Sequence, residues 1–561
     1  MFSIKSPIFV GKFGNMRILW LDINSSYAHS SIALPALHAQ MGDNSGVEWT
    51  IVKGSLNESV GTMVEQSLDA APDILCATAW LFTHEMLLHV VSRIKAVMPR
   101  LCVIFGGPEF LGGNEHYLRH NTFVDCVFRG EAEEIFPQWV ACYDDKTKWK
   151  AIKGLCYIGA DGTYYDNGMA RVADVNALVP PEQSSMFSWD KPFVQLETTR
   201  GCFNTCSFCV SGGDKPVRTL DVEAVRCRLE DIKKHGIRDV RVLDRTFNYN
   251  NKRAIQMLEM FKIYTGVMRF HLEIHPALLT DTMREAIADM PSGLLHLEAG
   301  IQSLRSDVLK ASRRVGGLEA SLDGLRFLCS LPNVVTHADL IAGLPHYTLD
   351  SLVEDVRTLV GYGAQEIQLE SLKVLPGTEM RRRAEEWGVR YSPFPPYEVL
   401  CTDSITAGEL QTARRLSRMI DAYYNTEAWQ AVTAKLILSD EHFLRCFLQH
   451  LVEINIIDQP TSLEKRGLVL YNYCKTHHPD MLRDVTKAWI EAGLSLRKEP
   501  ASAVLTKHIT PCDDWMILRG EYKPSLRLCF LPADDSEDRG IWYGYETERL
   551  ERRPVFVAEK K

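Results

Sequence analysis

The chain has 561 residues, 46% of them hydrophobic and 24% charged, with a formal net charge of −9. That length suits three or four domains, and the composition is that of a soluble globular protein. The acidic balance argues against a general nucleic-acid binder, which carries a basic face, and no run of about 18 uncharged apolar residues is present to span a membrane.

The opening MFSIKSPIFVGKFGN lacks a long apolar stretch followed by a small-residue cleavage site. Met16 precedes the first strand and reads as an alternative start, which leaves 1–15 as an N-terminal extension. Fifteen cysteines, an odd number, lie mostly in apolar runs, as Cys76, Cys102, Cys126 and Cys329 do. They read as small core residues in a reducing cytoplasm.

Residues 16–145 alternate strand-like and helix-like segments: MRILWLDI, VEWTIVKG, DILCATAWLF and LCVIFGGPEF as strands, HEMLLHVVSRIKAVM as a helix. That alternation predicts a doubly wound parallel sheet, which binds ligands at the carboxyl ends of its strands. Two turns at those ends are rich in glycine, Gly106-Gly107-Pro108-Glu109 and Gly130-Glu131, and would let backbone approach a large ligand. Tyr27, His29, Ser30, Thr78 and Trp80 fall on the same rim. Trp80 reads equally well as core. Residues 146–190 read as a linker.

The run ETTRGCFNTCSFCVSGG places Cys202, Cys206 and Cys209 at C-x3-C-x2-C spacing. Three thiolates so placed can hold three irons of a cubane cluster and leave the fourth open, whereas electron-transfer clusters use four cysteines. A zinc site is the alternative, but a second ligand pair at readable spacing is missing.

From 191 to 387 the βα alternation continues through DVRVLDRTFNYN, RFHLEIHPALL, GLLHLEAGIQS, VVTHADLIAGLP and EIQLESLKVLPGT. Residues 388–561 differ. They carry helix-like runs (ELQTARRLSRMIDAYYN, AWQAVTAKLIL, EHFLRCFLQHLVEI, MLRDVTKAWIEAGL) and two closing strands around an acidic turn. Their aromatics, among them Tyr423, Tyr424, Trp429, Trp515, Trp542 and Tyr543, read as helical-core packing or as a wall beside the barrel.

These motifs resemble the cobalamin-binding radical S-adenosylmethionine (SAM) enzymes, and the C-terminal pattern is similar to that of one large, mostly uncharacterised group among them. The resemblance implies an α/β architecture: a Rossmann-like cobalamin domain, a partial (β/α)6 TIM barrel and a mainly helical C-terminal domain. It implies a [4Fe–4S] cluster on the three cysteines, SAM on the open iron, and methylcobalamin on the front-domain rim. It places SAM contacts at Phe208, Asp244, Thr246, Glu298, Gln302, Ser303, Asp339, Gly343, Leu375 and Pro376. The D-x-H-x-x-G motif that ligates cobalt in many cobalamin domains is absent, and His29 stands as a substitute ligand or a polar neighbour of the corrin. Arg245, Asn248, Glu273 and His275 are candidates for substrate contact or loop anchoring.

The reaction implied is C-methylation at an unactivated carbon, with rearrangement or cyclisation as the alternative outcome. A non-catalytic cobalamin or cluster sensor is the alternative class. The expected partners are a small-molecule or peptide substrate and an external electron donor such as flavodoxin or ferredoxin. No dedicated RNA-binding module is evident, and a monomer is expected.

Overall fold

A computed structural model describes residues 16–504 apart from 27, 29 and 43–45, together with 515–533, 536–546 and 553–560. The chain divides into two compact units. The first holds the residues up to 348 together with 371–410, and the second holds 349–370 and the residues from 411 on.

The first unit opens with β1 (Met16–Asn24), β2 (Val47–Ser55), β3 (Ile74–Thr78), β4 (Cys102–Gly106), β5 (Cys126–Phe128), β6 (Leu155–Ile158) and β7 (Tyr164–Asp166). They form one sheet in the order β2-β1-β3-β4-β5-β6-β7. β1 to β5 run parallel, and β6 and β7 are added antiparallel at the edge. Both faces are buried, as a parallel sheet between helices requires. Leu19, Leu21, Leu75, Val103 and Phe105 pack on one face, and Ile18, Trp20, Ile74, Ile104 and Phe128 on the other. Cys76 and Cys126 belong to that second core.

The stretch 146–190 is therefore not only a linker, because β6 and β7 lie within it. Strands of four and three residues carry too little alternation to be legible in sequence.

Next come β8 (Phe193–Leu196), the two-residue pair β9 (Thr199–Arg200) and β10 (Arg218–Thr219), then β11 (Asp239–Val242), β12 (Arg269–Ile274), β13 (Leu295–Gln302), β14 (Val335–Ala342) and β15 (Glu366–Ser371). β8 and β11 to β15 make a six-stranded sheet in the order β15-β14-β13-β12-β11-β8, the arrangement of a partial barrel. Its central strands β11 to β14 alternate strictly. In β13, Leu295, Leu297, Ala299 and Ile301 are buried, while His296, Glu298 and Gln302 keep partial exposure on the other face. The apolar face meets the surrounding helices, and the polar face lines the barrel.

Within the second unit, helices Glu427–Ser439, Phe443–Glu453, Leu463–His477 and Leu482–Glu491 pack around fully buried Trp429 and Trp489. Gly467 permits that packing, because a Cβ there would lie 2.5 Å from Trp429 Cη2. Tyr423, Tyr424, Trp542 and Tyr543 are also buried inside this unit. The last described strands form a four-stranded antiparallel sheet that contains the two strands expected around the acidic turn.

Candidate functional site

The three cysteines occupy a loop whose base is the β9–β10 pair, with Arg200 opposite Arg218. The loop is fixed by its own backbone: Cys202 N–H donates to Asp214 O at 3.1 Å, and Gly213 N–H to Asn204 O at 2.8 Å. Gly212 is required, since a Cβ would lie 2.5 Å from Cys206 O. The buried Asn204 carboxamide accepts from Thr205 N and Val315 N, and Ser207 N–H donates to Ser312 O, so residues 312–315 brace the loop.

Cys202 and Cys206 are buried and Cys209 is partly exposed, all as free thiols. Burial raises the thiols of Cys202 and Cys206, and the proximity of Cys209 adds to this. Arg314 points Nη1 at Cys206 Sγ from 3.8 Å and also donates to Gly300 O. A cation beside converging thiols suits an anionic thiolate cluster, so the donor set fits [4Fe–4S].

The strand ends around this loop hold most of the expected SAM residues, in differing roles. Asp244 is buried and fully engaged, accepting from Thr198 N, Thr198 Oγ1 and Thr199 N at 2.8, 2.5 and 2.7 Å. It therefore pins the approach to the cysteine loop rather than offering a free carboxylate. Thr246 sits against Cys202. Glu298 bonds His271 Nε2 at 2.9 Å, and Asp339 lies 3.4 Å from His337 Nε2. Glu298 and Asp339 also bond each other, which takes one proton between two carboxyl groups. Burial and the charge of Glu298 push Asp339 well up, so it keeps the proton. Burial alone would raise Glu298, but His271, Asp339 and His337 bring it down to about 2.

Gln302 ends β13 at φ +72, a left-handed backbone rare for glutamine, beside a register shift. Ser303 is buried, and its Oγ accepts from Arg305 N. Gly343, at φ +89, packs on Val399, where a Cβ would lie 2.6 Å from Cγ1. Phe208, Leu375 and Pro376 are half-buried.

The four substrate-contact candidates separate into two pairs. Arg245 and Glu273 face each other at 3.7 Å with both side chains partly exposed. Burial raises Glu273 to about 7 against the opposing pull of Arg245, which suits a group that exchanges a proton near neutrality. Asn248 and His275 instead anchor loops. The Asn248 side chain bonds His275 N and O at 2.8 and 3.0 Å, and His275 Nε2 donates to Val315 O at 2.9 Å. That bond places a proton on Nε2, and burial keeps the ring neutral against its pull.

The corrin-side residues surround a cavity of about 340 Å³ at the carboxyl ends of β1, β3, β4 and β5. Its floor is apolar, with Trp20, Ile104 and Phe128, and its rim includes Thr78, Trp80, Gly106, Gly107, Gly130 and Glu131. Glu197, Arg200 and Leu243 close it from the barrel side. Among the described residues, a Cβ on Gly106 would meet nothing within 4 Å, so this backbone faces open space there. An apolar floor under bare backbone fits a flat corrin.

The other glycines serve the fold: Gly107 (φ +109) sits against Thr78 and Ala79, and Gly130 (φ +101) against Ala170. Ser30 and Pro108 are half-buried and off the cavity wall, while Tyr27 and His29 lie outside the described residues.

Glu109 is not on that wall either. It accepts from Tyr397 Oη at 2.5 Å and lies 3.8 Å from His84 Nδ1. Burial raises its carboxyl, partly offset by Tyr397. Next to it, Gly112 and Gly377 bring two backbones together, as a Cβ on Gly112 would lie 2.9 Å from Gly377 N. The glycine-proline turn thus docks its domain on the Leu375–Thr378 turn. Tyr397→Phe would strand a buried carboxylate, and a loss of about 1–3 kcal/mol in urea unfolding is expected.

His84 and His275 are each only 3% exposed, and burial lowers both to about 4 from the usual 6.5. The unfolded chain therefore binds more protons between these values. Stability is full above pH 6.5 and falls as pH drops towards about 4, by up to about 3 kcal/mol for each histidine. Urea titrations over that range check this, and His275→Gln is expected to flatten part of the decline.

Four functional residues escaped the sequence reading: Arg314 beside Cys206, and Arg200, Arg218 and Glu133 around the base of the loop. Arg200 lies in the run that carries the cysteines but at no motif position of its own. Glu197 is a local partner, but Glu131 and Glu133 belong to the front domain, and ion pairs between distant elements leave no periodic trace.

Comparison with known proteins agrees with this layout. Residues 20–140 match the B12 binding domain, 196–359 the Radical SAM superfamily, and 385–481 a Protein of unknown function (DUF4080). The cobalamin-dependent radical SAM methyltransferase TokK of Streptomyces tokunonensis is 22% identical over 352 residues, covering 58% of this chain and 51% of TokK. The chain thus spans about half the length of that curated relative. Among solved structures, the methyltransferase TsrM of Kitasatospora setae, with cobalamin and [4Fe–4S] cluster bound, aligns with TM-score 0.55 at 15% identity over 69% of this chain and 79% of that one. The cobalamin-dependent enzyme OxsB with aqua-cobalamin aligns with TM-score 0.59 at 14% identity over 84% and 79%. At these identities the likeness is one of fold.

Proposed function

We propose, from the premise that this chain belongs to the cobalamin-binding radical SAM family, that it is a methyltransferase acting on an unactivated carbon. The observation that carries the proposal is the cavity itself. It opens at the carboxyl ends of both parallel sheets, and Arg200 on its wall stands two residues before Cys202. The nature of TokK and TsrM as methyltransferases supports the same reading. When bound, the cluster supplies the electron that splits SAM to methionine and a 5′-deoxyadenosyl radical, and methylcobalamin supplies the methyl group.

The chain's own residues then have definable tasks. Cys202, Cys206 and Cys209 hold the cluster, and Arg314 offsets its charge beside Cys206. Asp244, through Thr198 and Thr199, fixes the entry to the loop. Glu298 and Asp339 keep one proton between them at the barrel wall, beside His271 and His337. Gly106 leaves room for the corrin face. Arg245 and Glu273 offer a cation and a proton-exchanging carboxyl to a polar substrate, a small molecule or a peptide. A flavodoxin- or ferredoxin-type donor supplies electrons.

The test uses methyl-labelled SAM with extracts of cells lacking the protein. Methyl transfer predicts a labelled product together with 5′-deoxyadenosine and S-adenosylhomocysteine. Formation of 5′-deoxyadenosine with an unlabelled product would assign the enzyme to rearrangement or cyclisation instead.

A further inference from the structure

The base of the cysteine loop is gripped from the corrin side. Arg200 forms a bidentate pair with Glu197, both bonds 2.8 Å, and lies 3.0 Å from Glu133 and 3.5 Å from Glu131. Its register partner Arg218 makes a bidentate pair with Glu131, both bonds 2.7 Å, and also donates to Val172 O. Asp214, inside the cysteine loop, pairs with Arg171 at 2.9 Å and reaches Arg218 at 3.5 Å. Three arginines thus face four carboxylates, and one negative charge is left over beside the loop. Glu131, Glu133, Glu197 and Arg200 also line the corrin cavity. A second cavity of about 540 Å³ adjoins it and shares Glu133, Glu197 and Arg200. Arg200 is largely buried, and its Nη1, although 3.5 Å from Glu131 Oε2, makes no hydrogen bond among the described residues.

We propose that Arg200 is a positioning residue shared by both cofactor sites: it holds the corrin-side carboxylates in place and sets the charge beside the cluster. The inference rests on the reading of the two sites as cobalamin and [4Fe–4S] sites. Its physical basis is the low dielectric of a buried charge group. There, removing one guanidinium leaves carboxylates whose field reaches the cluster with little screening. A more negative surrounding disfavours the extra electron. The unmet Nη1 donor on the cavity wall suits an amide carbonyl at the corrin edge, a charge-assisted bond.

The test is an anaerobic redox titration of the reconstituted full chain followed by electron paramagnetic resonance (EPR), together with hydroxocobalamin titration. Arg200→Gln is expected to lower the cluster's midpoint potential and to weaken hydroxocobalamin binding about tenfold. Glu133→Gln removes a negative charge and is expected to raise the potential. A merely structural role would not move the two variants in opposite directions. Equal potentials in wild type and both variants, or shifts of the same sign, would overturn the inference. So would unchanged hydroxocobalamin binding in Arg200→Gln at full iron content. Where Arg200→Gln holds no cluster, the sign of the Glu133→Gln shift decides. A wild-type chain that holds no cluster or no corrin would instead strike at the cofactor reading, which the unsubstituted protein reports by itself.

Discussion

Cys206→Ala abolishes the cluster: after anaerobic reconstitution the variant lacks the broad thiolate-to-iron absorbance and cleaves no SAM. The effect is expected to be total because three protein ligands are the minimum the loop offers, and Cys206 is the middle one, with Arg314 at its sulfur. Loss of one thiolate from such a set leaves two irons without a protein ligand. The fold itself should tolerate the change. Cys206 is buried, but the loop is held by Asp214, Asn204 and Ser312 rather than by the sulfur. Circular dichroism and gel filtration of the variant should therefore match wild type. A variant that kept wild-type iron and absorbance would remove Cys206 from the ligand set.

Two neighbouring glycines should behave oppositely. At Gly130 an added Cβ would lie 2.2 Å from Ala170 O, and the backbone is at φ +101. Gly130→Ala is thus expected to cost about 3 kcal/mol or more in stability, from backbone strain plus a clash with a main-chain oxygen. Gly106 carries no such constraint, since none of the described residues lies within 4 Å of its Cβ position. Gly106→Val should keep the wild-type melting temperature while losing cobalamin, because its side chain enters the space over the apolar floor. Thermal melts of the apoprotein, paired with corrin absorbance after reconstitution, separate the two effects. Wild-type corrin retention in Gly106→Val would place the corrin elsewhere.

Much of this was legible in the sequence because the decisive signals are local. The C-x3-C-x2-C spacing is a single loop. The strands that carry Glu273, Glu298 and Asp339 alternate with period two, and the glycine turns fall at strand ends. The functional consequences of tertiary pairing were less legible. Asp244 looked like a ligand contact, but its burial and its three bonds to Thr198 and Thr199 show it pinning the cysteine loop. Asn248 likewise spends its carboxamide on the His275 backbone, and His275 Nε2 is bonded to Val315 O.

Glu109 sat in a turn that suggested a ligand contact, yet its partner is Tyr397, 288 residues on. Arg314 follows β13 at no motif position the sequence marked, and only folding brings it to Cys206. The helix Leu463–His477 escaped notice because Gly467 and a run of tyrosines blur its apolar period, although that glycine is what lets Trp429 and Trp489 pack.

The central claim is that Cys202, Cys206 and Cys209 hold a cluster that binds and reduces SAM beside a corrin. The most direct measurement reconstitutes the full chain anaerobically with iron, sulfide and hydroxocobalamin, adds SAM, and follows the reduced cluster by EPR while quantifying 5′-deoxyadenosine. The account predicts a change in the cluster signal on SAM addition and 5′-deoxyadenosine formation that Cys206→Ala lacks. A reduced cluster whose signal is unmoved by SAM, with 5′-deoxyadenosine absent, would contradict it.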